Sequence, residues 1–150
     1  MRSLARGLVA GAAGTVALNL STYGDMLVRG RPASSMPAEV ADRLADRAGV
    51  ELGEEQQKSS REQAAGALLG YLTGLGVGAA YGMLSGRRAR VPALVAGPLL
   101  GAAAMAGSDA PATALGVTDP RRWSGGAWLS DIAPHLAYGV VTAAVHRALR

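Results

Sequence analysis

GALLGYLTGLGVGAAYGMLSG, residues 66–86, places glycine at 66, 70, 74, 78, 82 and 86, every fourth position without a break. A four-residue step keeps these glycines along one side of an α-helix. No charged residue interrupts 64–86, so the helix lacks the polar face that a water-soluble bundle requires. Crossing a bilayer takes about 20 largely apolar residues, and the stretch is long enough. In lipid the hydrophobic effect does not draw helices together, and small residues at i, i+4 instead let two backbones approach closely. Gly66, Gly70, Gly74, Gly78, Gly82 and Gly86 therefore read as a packing surface. Its partner is either inside the chain or a second subunit, which would be another copy or a different membrane protein. Within the chain, Gly7 and Gly11 on one segment and Ala93, Gly97 and Gly101 on another offer matching spacing.

Three further segments lack interior charge over most of their length, giving expected spans at about 8–28, 64–85, 91–107 and 131–149. The third contains Pro98, which predicts a tilt or kink. Of 150 residues 49% are apolar and 17% charged, phenylalanine and cysteine are absent, and Ala and Gly dominate. Such a chain is poor in the bulky side chains that fill a soluble core. The expectation is an all-α, four-helix transmembrane bundle forming a single integral membrane domain over residues 1–150. Arg2 and Arg6 ahead of an apolar run also fit a signal peptide, but no small-x-small cleavage site follows, so the first segment reads as a retained helix.

The polar loop 29–63 is predicted to carry a short amphipathic helix. Pro37 suits a first helical turn, Val40, Ala41, Leu44, Ala45 and Ala48 share a face, and Gly49 supplies a stop. Glu39, Asp42 and Asp46 stand beside Arg43 and Arg47, which favours a packed surface helix over an anionic-lipid anchor. Ser59-x-x-Glu62 and Ser60-x-x-Gln63 each match a capping box at the start of the second span.

Four spans put both termini and the 86–90 turn on one side, with seven basic and no acidic residues. The other side then holds eight basic and all eleven acidic residues. The positive-inside rule counts Lys and Arg near the membrane, so RRAR in a very short turn favours cytoplasmic termini. Trp123, Trp128 and Tyr23 would then mark the outer interface. The net charge of +4 is carried by 14 arginines and one lysine gathered at segment ends, a pattern that argues against nucleic-acid binding.

A polar seam is the other feature with chemistry in it. Asp131, His135, Tyr138, Thr142 and His146 fall on one face of the last span, and Thr15, Asn19 and Thr22, ending near Asp25, answer them from the first. Polar stripes are costly against lipid and should face each other or a hydrated crevice. Asp131 and His135, one turn apart, form an acid–imidazole pair suited to proton handling. The alternative makes Asp131 a helix-terminus residue capped by Ser130, with Tyr138, Asn19 and the threonines as interhelical hydrogen-bond glue. Asp109, in GSDAP, lands on the same side as Asp25, Asp131 and His135, although Ser108-Asp109-x-Pro111 also reads as a turn or cap. No two-ligand metal motif and no nucleophile elbow or triad context is present, so neither a metal, a cofactor nor catalysis is expected.

Leu8-Val9-Ala10-Gly11 in the first segment is matched by Leu94-Val95-Ala96-Gly97 in the third, the mark of two hairpins of like orientation. His135-Leu136-Ala137-Tyr138-Gly139 at the start of the last span resembles the H-L-x-Y-G-type stretch of the YagU-like family of small bacterial inner-membrane proteins. That resemblance implies a multi-pass protein of the bacterial plasma membrane without an assigned catalytic activity, and gives weight to His135, Tyr138 and Gly139. The functional expectation is a non-enzymatic membrane packing or interaction module in the lipid bilayer. The alternative is a small conduit or carrier for protons, cations or a polar solute along the seam.

Overall fold

The computed structural model describes residues 2–85 and 91–150, so Gly86 and the Arg87, Arg88 and Arg90 turn lie outside the described residues. The described chain is helical, with no strand: α1 (Arg2–Arg29), α2 (Met36–Ala48), α3 (Glu55–Ser85), α4 (Ala93–Ala114) and α5 (Gly125–Ala148), plus a 3-10 turn at Pro120–Arg122. At 1.5 Å per residue the four long helices run to about 33–47 Å. Two of them, Arg2–Arg29 and Gln57–Ser85, are long and apolar enough to cross a membrane. Only 28% and 17% of their most apolar windows are buried inside the molecule, unlike the core helix of a soluble protein.

The helices outrun the apolar segments. α3 begins at Glu55, because Glu, Gln and Lys are good helix formers and extend the helix through the polar lead-in. Ser59 and Ser60 therefore sit inside the helix and neither opens it as a capping box. α4 continues through Asp109 and Pro111 to Ala114, so the expected turn at Ser108–Pro111 is helix. α5 starts at Gly125, where the Ser124 hydroxyl accepts from the Ala127 N–H at 3.1 Å. Asp131 consequently lies well inside α5, and Ser130 is no cap: its hydroxyl donates to the Gly126 carbonyl at 2.8 Å.

α1 packs between α3 and α5, α5 packs in turn against α4, and a slighter α3–α4 contact closes the ring. Neighbours run antiparallel: Gly7 lies by Gly82, and Gly11 by Gly74 and Gly78. Ser85 at the end of α3 meets His146 near the end of α5. The chain ends and the end of α3 thus share one pole, and the 30–54 and 115–124 connections share the other.

Glycine sets these contacts. A methyl group on Gly78 would lie 2.5 Å from the Gly7 carbonyl oxygen and 2.6 Å from Gly11 Cα, and one on Gly82 2.7 Å from Gly7 Cα. A second contact of the same kind joins α4 to α5, where a methyl on Gly139 would lie 2.5 Å from Gly101 N and one on Gly101 2.7 Å from the His135 carbonyl oxygen. The ladder on α3 is therefore not one continuous seat. Gly74, Gly78 and Gly82 face α1, Gly66 stands 2.6 Å by the same measure from the Pro37 carbonyl of α2, and Gly70 has nothing within 4 Å. Gly97 and Gly101 pair with α5, not with the ladder.

The interior built this way is small and partly polar, comprising Ala10, Ala96, Leu100, Ala104, Ala112, Tyr138 and Ala143 with Thr15, Thr142 and His146. Large apolar side chains point outward from every long helix: Val16 and Leu20 on α1, Leu68 and Leu72 on α3, Leu94 and Leu99 on α4, Leu129 and Val140 on α5.

α2 lies against α3. Pro37 stands in its first turn, Val40 and Ala41 are buried, and Gly49 ends it in the left-handed region at φ 66°. Leu44 remains exposed. The Lys58 ammonium reaches Asp42 at 2.8 Å and holds that carboxyl below the usual carboxylate range.

Two predictions follow from this packing. Gly78→Leu forces a side chain between two backbones, and overpacking costs about 1–3 kcal/mol in well-packed interiors; folded yield should fall, while Gly70→Leu stays near wild type in the same thermal-melt assay. Because the Asp42 carboxyl is depressed in the folded protein, its contribution to docking α2 is present above the ordinary Asp value of about 3.9 and disappears as pH falls below it. Protection of the α2 amides from hydrogen exchange, taken relative to the intrinsic rate at each pH, should fall as pH drops below about 4, and Asp42→Asn should abolish that loss.

Candidate functional site

The polar side chains separate into three levels along the bundle. At the loop pole α4 presents Ser108 and Asp109 to Asp131 and His135 of α5. His135 Nδ1 donates to the Asp131 backbone carbonyl at 2.8 Å and stands 3.4 Å from that residue's carboxylate. A carbonyl oxygen can only accept, so Nδ1 carries a proton. Nε2 faces the Ser108 hydroxyl at 3.5 Å. That hydroxyl donates to the Met105 carbonyl at 2.9 Å and lies 3.4 Å from Asp109. Asp109 is 8% exposed.

At the middle level Tyr138 and Thr142, 1% and 0% exposed, fill the space where α5 crosses α1 at Gly14. The Tyr138 hydroxyl reaches past α1 and donates to the Gly74 carbonyl of α3 at 2.6 Å. Thr15 turns its hydroxyl back to the Gly11 carbonyl at 2.9 Å. Gly14 and Gly74 make this possible, for a methyl on Gly14 would collide with Thr142 and the Tyr138 ring, and one on Gly74 with the Thr15 hydroxyl. Asn19, half-buried, lies one turn further along α1.

At the terminus pole His146 is buried, with its ring 4.7 Å from that of Tyr81 and Nε2 3.3 Å from the Ser85 hydroxyl. Arg150 donates to the Ser85 carbonyl at 3.1 Å.

Asp109, Asp131 and His135 are thus brought together, and Thr15, Tyr138 and Thr142 form a separate packed layer. Asp25 joins neither, since Arg29 and Arg31 each approach it at 2.5 Å and Arg29 also bonds Ser130. Ser130 turns toward Arg29 and Gly126 and does not pair with His135. Among the described residues, no group of three or more His, Asp or Glu is set to hold a metal ion. Ser85 and Tyr81 were missed in the sequence because the periodicity that joins them to His146 lies on two different helices; the only local sign was Ser85, three residues beyond Gly82.

The Tyr138 hydrogen bond ties α5 to α3 at the middle of the bundle. Tyr138→Phe should keep the ring packing and lose about 0.5–1.5 kcal/mol in a denaturation series, with faster exchange of α3 amides near Gly74.

Comparison with protein-family models, with curated proteins and with solved structures finds no match.

Proposed function

We propose that the chain is a small polytopic membrane protein, crossing the bilayer four times and acting as a non-enzymatic packing or interaction module. The carrying observation is the inverted distribution of side chains: glycine, alanine, threonine and histidine inside, leucine and valine outside on all four long helices. A monomer in water rarely leaves so much contiguous apolar surface uncovered, whereas lipid solvates it. α4 and α5 are shorter than the two other helices, and their outward Leu94, Leu99, Leu129 and Val140 support counting them as spans.

The packed middle layer supports the module over a conduit, since Tyr138, Thr142 and Thr15 fill the seam. The inward use of Gly74, Gly78 and Gly82 supports a self-contained bundle and leaves any homo-oligomer or membrane-protein partner to other surfaces. The short RRAR turn favours cytoplasmic termini, and the likeness of His135–Gly139 to YagU-like proteins favours the bacterial plasma membrane.

Single cysteines test this cleanly in a chain that has none. Cysteines replacing Val16, Leu72, Leu99 and Val140 should resist a water-soluble maleimide in membranes and react once the protein is unfolded. Ala45→Cys should label from outside intact cells and Arg2→Cys only after lysis. Ready labelling of Leu99→Cys or Val140→Cys in sealed membranes removes the four-span reading.

A further inference from the structure

The terminus pole carries positive charge that no Asp or Glu answers. Arg2, Arg6, Arg147 and Arg150 stand there, and all eleven Asp and Glu residues lie toward the other pole. Among the described residues no carboxylate side chain pairs with any of the four, whereas Arg29, Arg31 and Lys58 toward the loop pole are each ion-paired. Two of the four are set level with one another. α5 meets α1 where Gly14 abuts Thr142, and the helices run antiparallel, so Arg6, eight residues before Gly14, and Arg150, eight residues after Thr142, stand at one height. Steps of four from Gly14 through the buried Ala10 keep Arg6 on the side of α1 that faces α5. Arg6 is half-buried there.

α3 supplies the third wall. Gly82 seats its end against Ser3 and Gly7 of α1, and His146, 3% exposed, lays its ring 4.7 Å from that of Tyr81. The Ser85 hydroxyl makes only long contacts, 3.3 Å to His146 Nε2 and 3.4 Å to the Gly82 carbonyl. Arg150 donates one N–H to the Ser85 carbonyl at 3.1 Å, which fixes its arm over α3 and leaves most of its five donors unspent. Two guanidiniums at one level repel each other unless an anion lies between them, and their forked donors match the oxygens of a phosphate. The rim is apolar: Leu4 and Leu8 flank Arg6, Leu84 precedes Ser85 and Leu149 precedes Arg150, all exposed. Free phosphate has no use for such a rim. A lipid brings phosphate and hydrocarbon together.

We infer that the ends of α1, α3 and α5 form a binding site for the phosphate of an anionic phospholipid, held by Arg6, Arg150 and the Ser85 hydroxyl, with the acyl chains along Leu4, Leu8 and Leu84. The inference rests on the membrane reading above. A basic side chain close to an anionic lipid surface raises affinity about fivefold. Arg147, at the same pole, provides an internal contrast. It follows Gly139 by eight residues and the buried Ala143 by four, and Gly139 meets α4 at Gly97 and Gly101, so Arg147 stands on the side of α5 turned toward α4, away from the site.

Native mass spectrometry of the whole protein in neutral detergent, with phosphatidylglycerol or phosphatidylcholine added, tests the site. The wild type should retain one phosphatidylglycerol per chain and prefer it over phosphatidylcholine. Arg6→Gln and Arg150→Gln should each weaken phosphatidylglycerol binding about fivefold, Arg147→Gln much less, and Arg6→Lys should restore most of the Arg6→Gln loss. A lipid-free thermal melt of Arg6→Gln in the same detergent should match the wild type, which separates a ligand role from a structural one. Equal affinity of the unaltered chain for the two lipids overturns the site even where a variant fails to fold. So does an Arg147→Gln loss as large as that of Arg6→Gln, which would leave only a diffuse basic surface. Displacement of the bound lipid by millimolar inorganic phosphate makes free phosphate the occupant and overturns the lipid assignment. A chain that stays dispersed without detergent removes the membrane reading and the site with it, whereas a chain that needs detergent but shows no lipid preference loses the site alone.

Discussion

Contact between helix backbones at Gly7, Gly11, Gly78 and Gly82 is the constraint from which the rest of the molecule follows. Where a carbonyl oxygen of one helix would stand 2.5 Å from a methyl group on the other, no side chain fits between them. Leucines and valines on the same turns are driven to the far sides of α1 and α3. Burial of large apolar groups therefore cannot hold this pair together as it does in a soluble bundle. Close dispersion contacts between backbones take over, the kind of association that lipid permits. The exposed Val16, Leu20, Leu68 and Leu72 are a consequence of the glycine contact, not an independent feature.

The same constraint explains why polar side chains are tolerated inside. Glycine leaves room beside the helix axis, and at Gly14 and Gly74 that room is taken by Thr142, Thr15 and the ring of Tyr138. Tyr138 and Thr15 donate to backbone carbonyls, while Thr142 is fully packed with its hydroxyl lacking a hydrogen-bond partner among the described residues. The titratable groups collect toward the poles: His146 with Ser85 at one end, Asp109, Asp131 and His135 at the other.

Much of this arrangement was legible in the sequence, and the reason differs by element. A four-residue glycine period survives inspection because it needs only local spacing, as does the amphipathic helix that Pro37 and Gly49 bracket. The helix ends were not legible from apolarity alone. Backbone hydrogen bonding continues through Glu55–Gln63 and through Asp109, where solvation preference changes but helix propensity does not. Hence Ser59, Ser60 and Ser130 looked like caps and are interior residues. The seam was read as a single stripe, since one helix face carries all five of its residues. The split into three levels depends on which neighbour crosses at each level, and Asp25 left the group because Arg31, beyond the end of its own helix, folds back onto it.

The two Leu-Val-Ala-Gly segments place these observations in one frame. Gly11 and Gly97, their last residues, each meet an antiparallel partner at backbone distance, α3 for the first and α5 for the second. The bundle is thus two glycine-locked hairpins, α1 with α3 and α4 with α5, joined where α1 crosses α5 and tied again by the Tyr138 hydroxyl reaching Gly74. Each hairpin's first helix carries an aspartate toward the loop pole, Asp25 in one and Asp109 in the other. Asp25 is neutralised twice over by arginine. Asp109, in the corresponding place, has a second carboxyl and an imidazole instead. Structural need is the same in both hairpins, and arginine satisfies it in the first. In the second hairpin the aspartate is instead buried beside the Ser108 hydroxyl, 3.4 Å away.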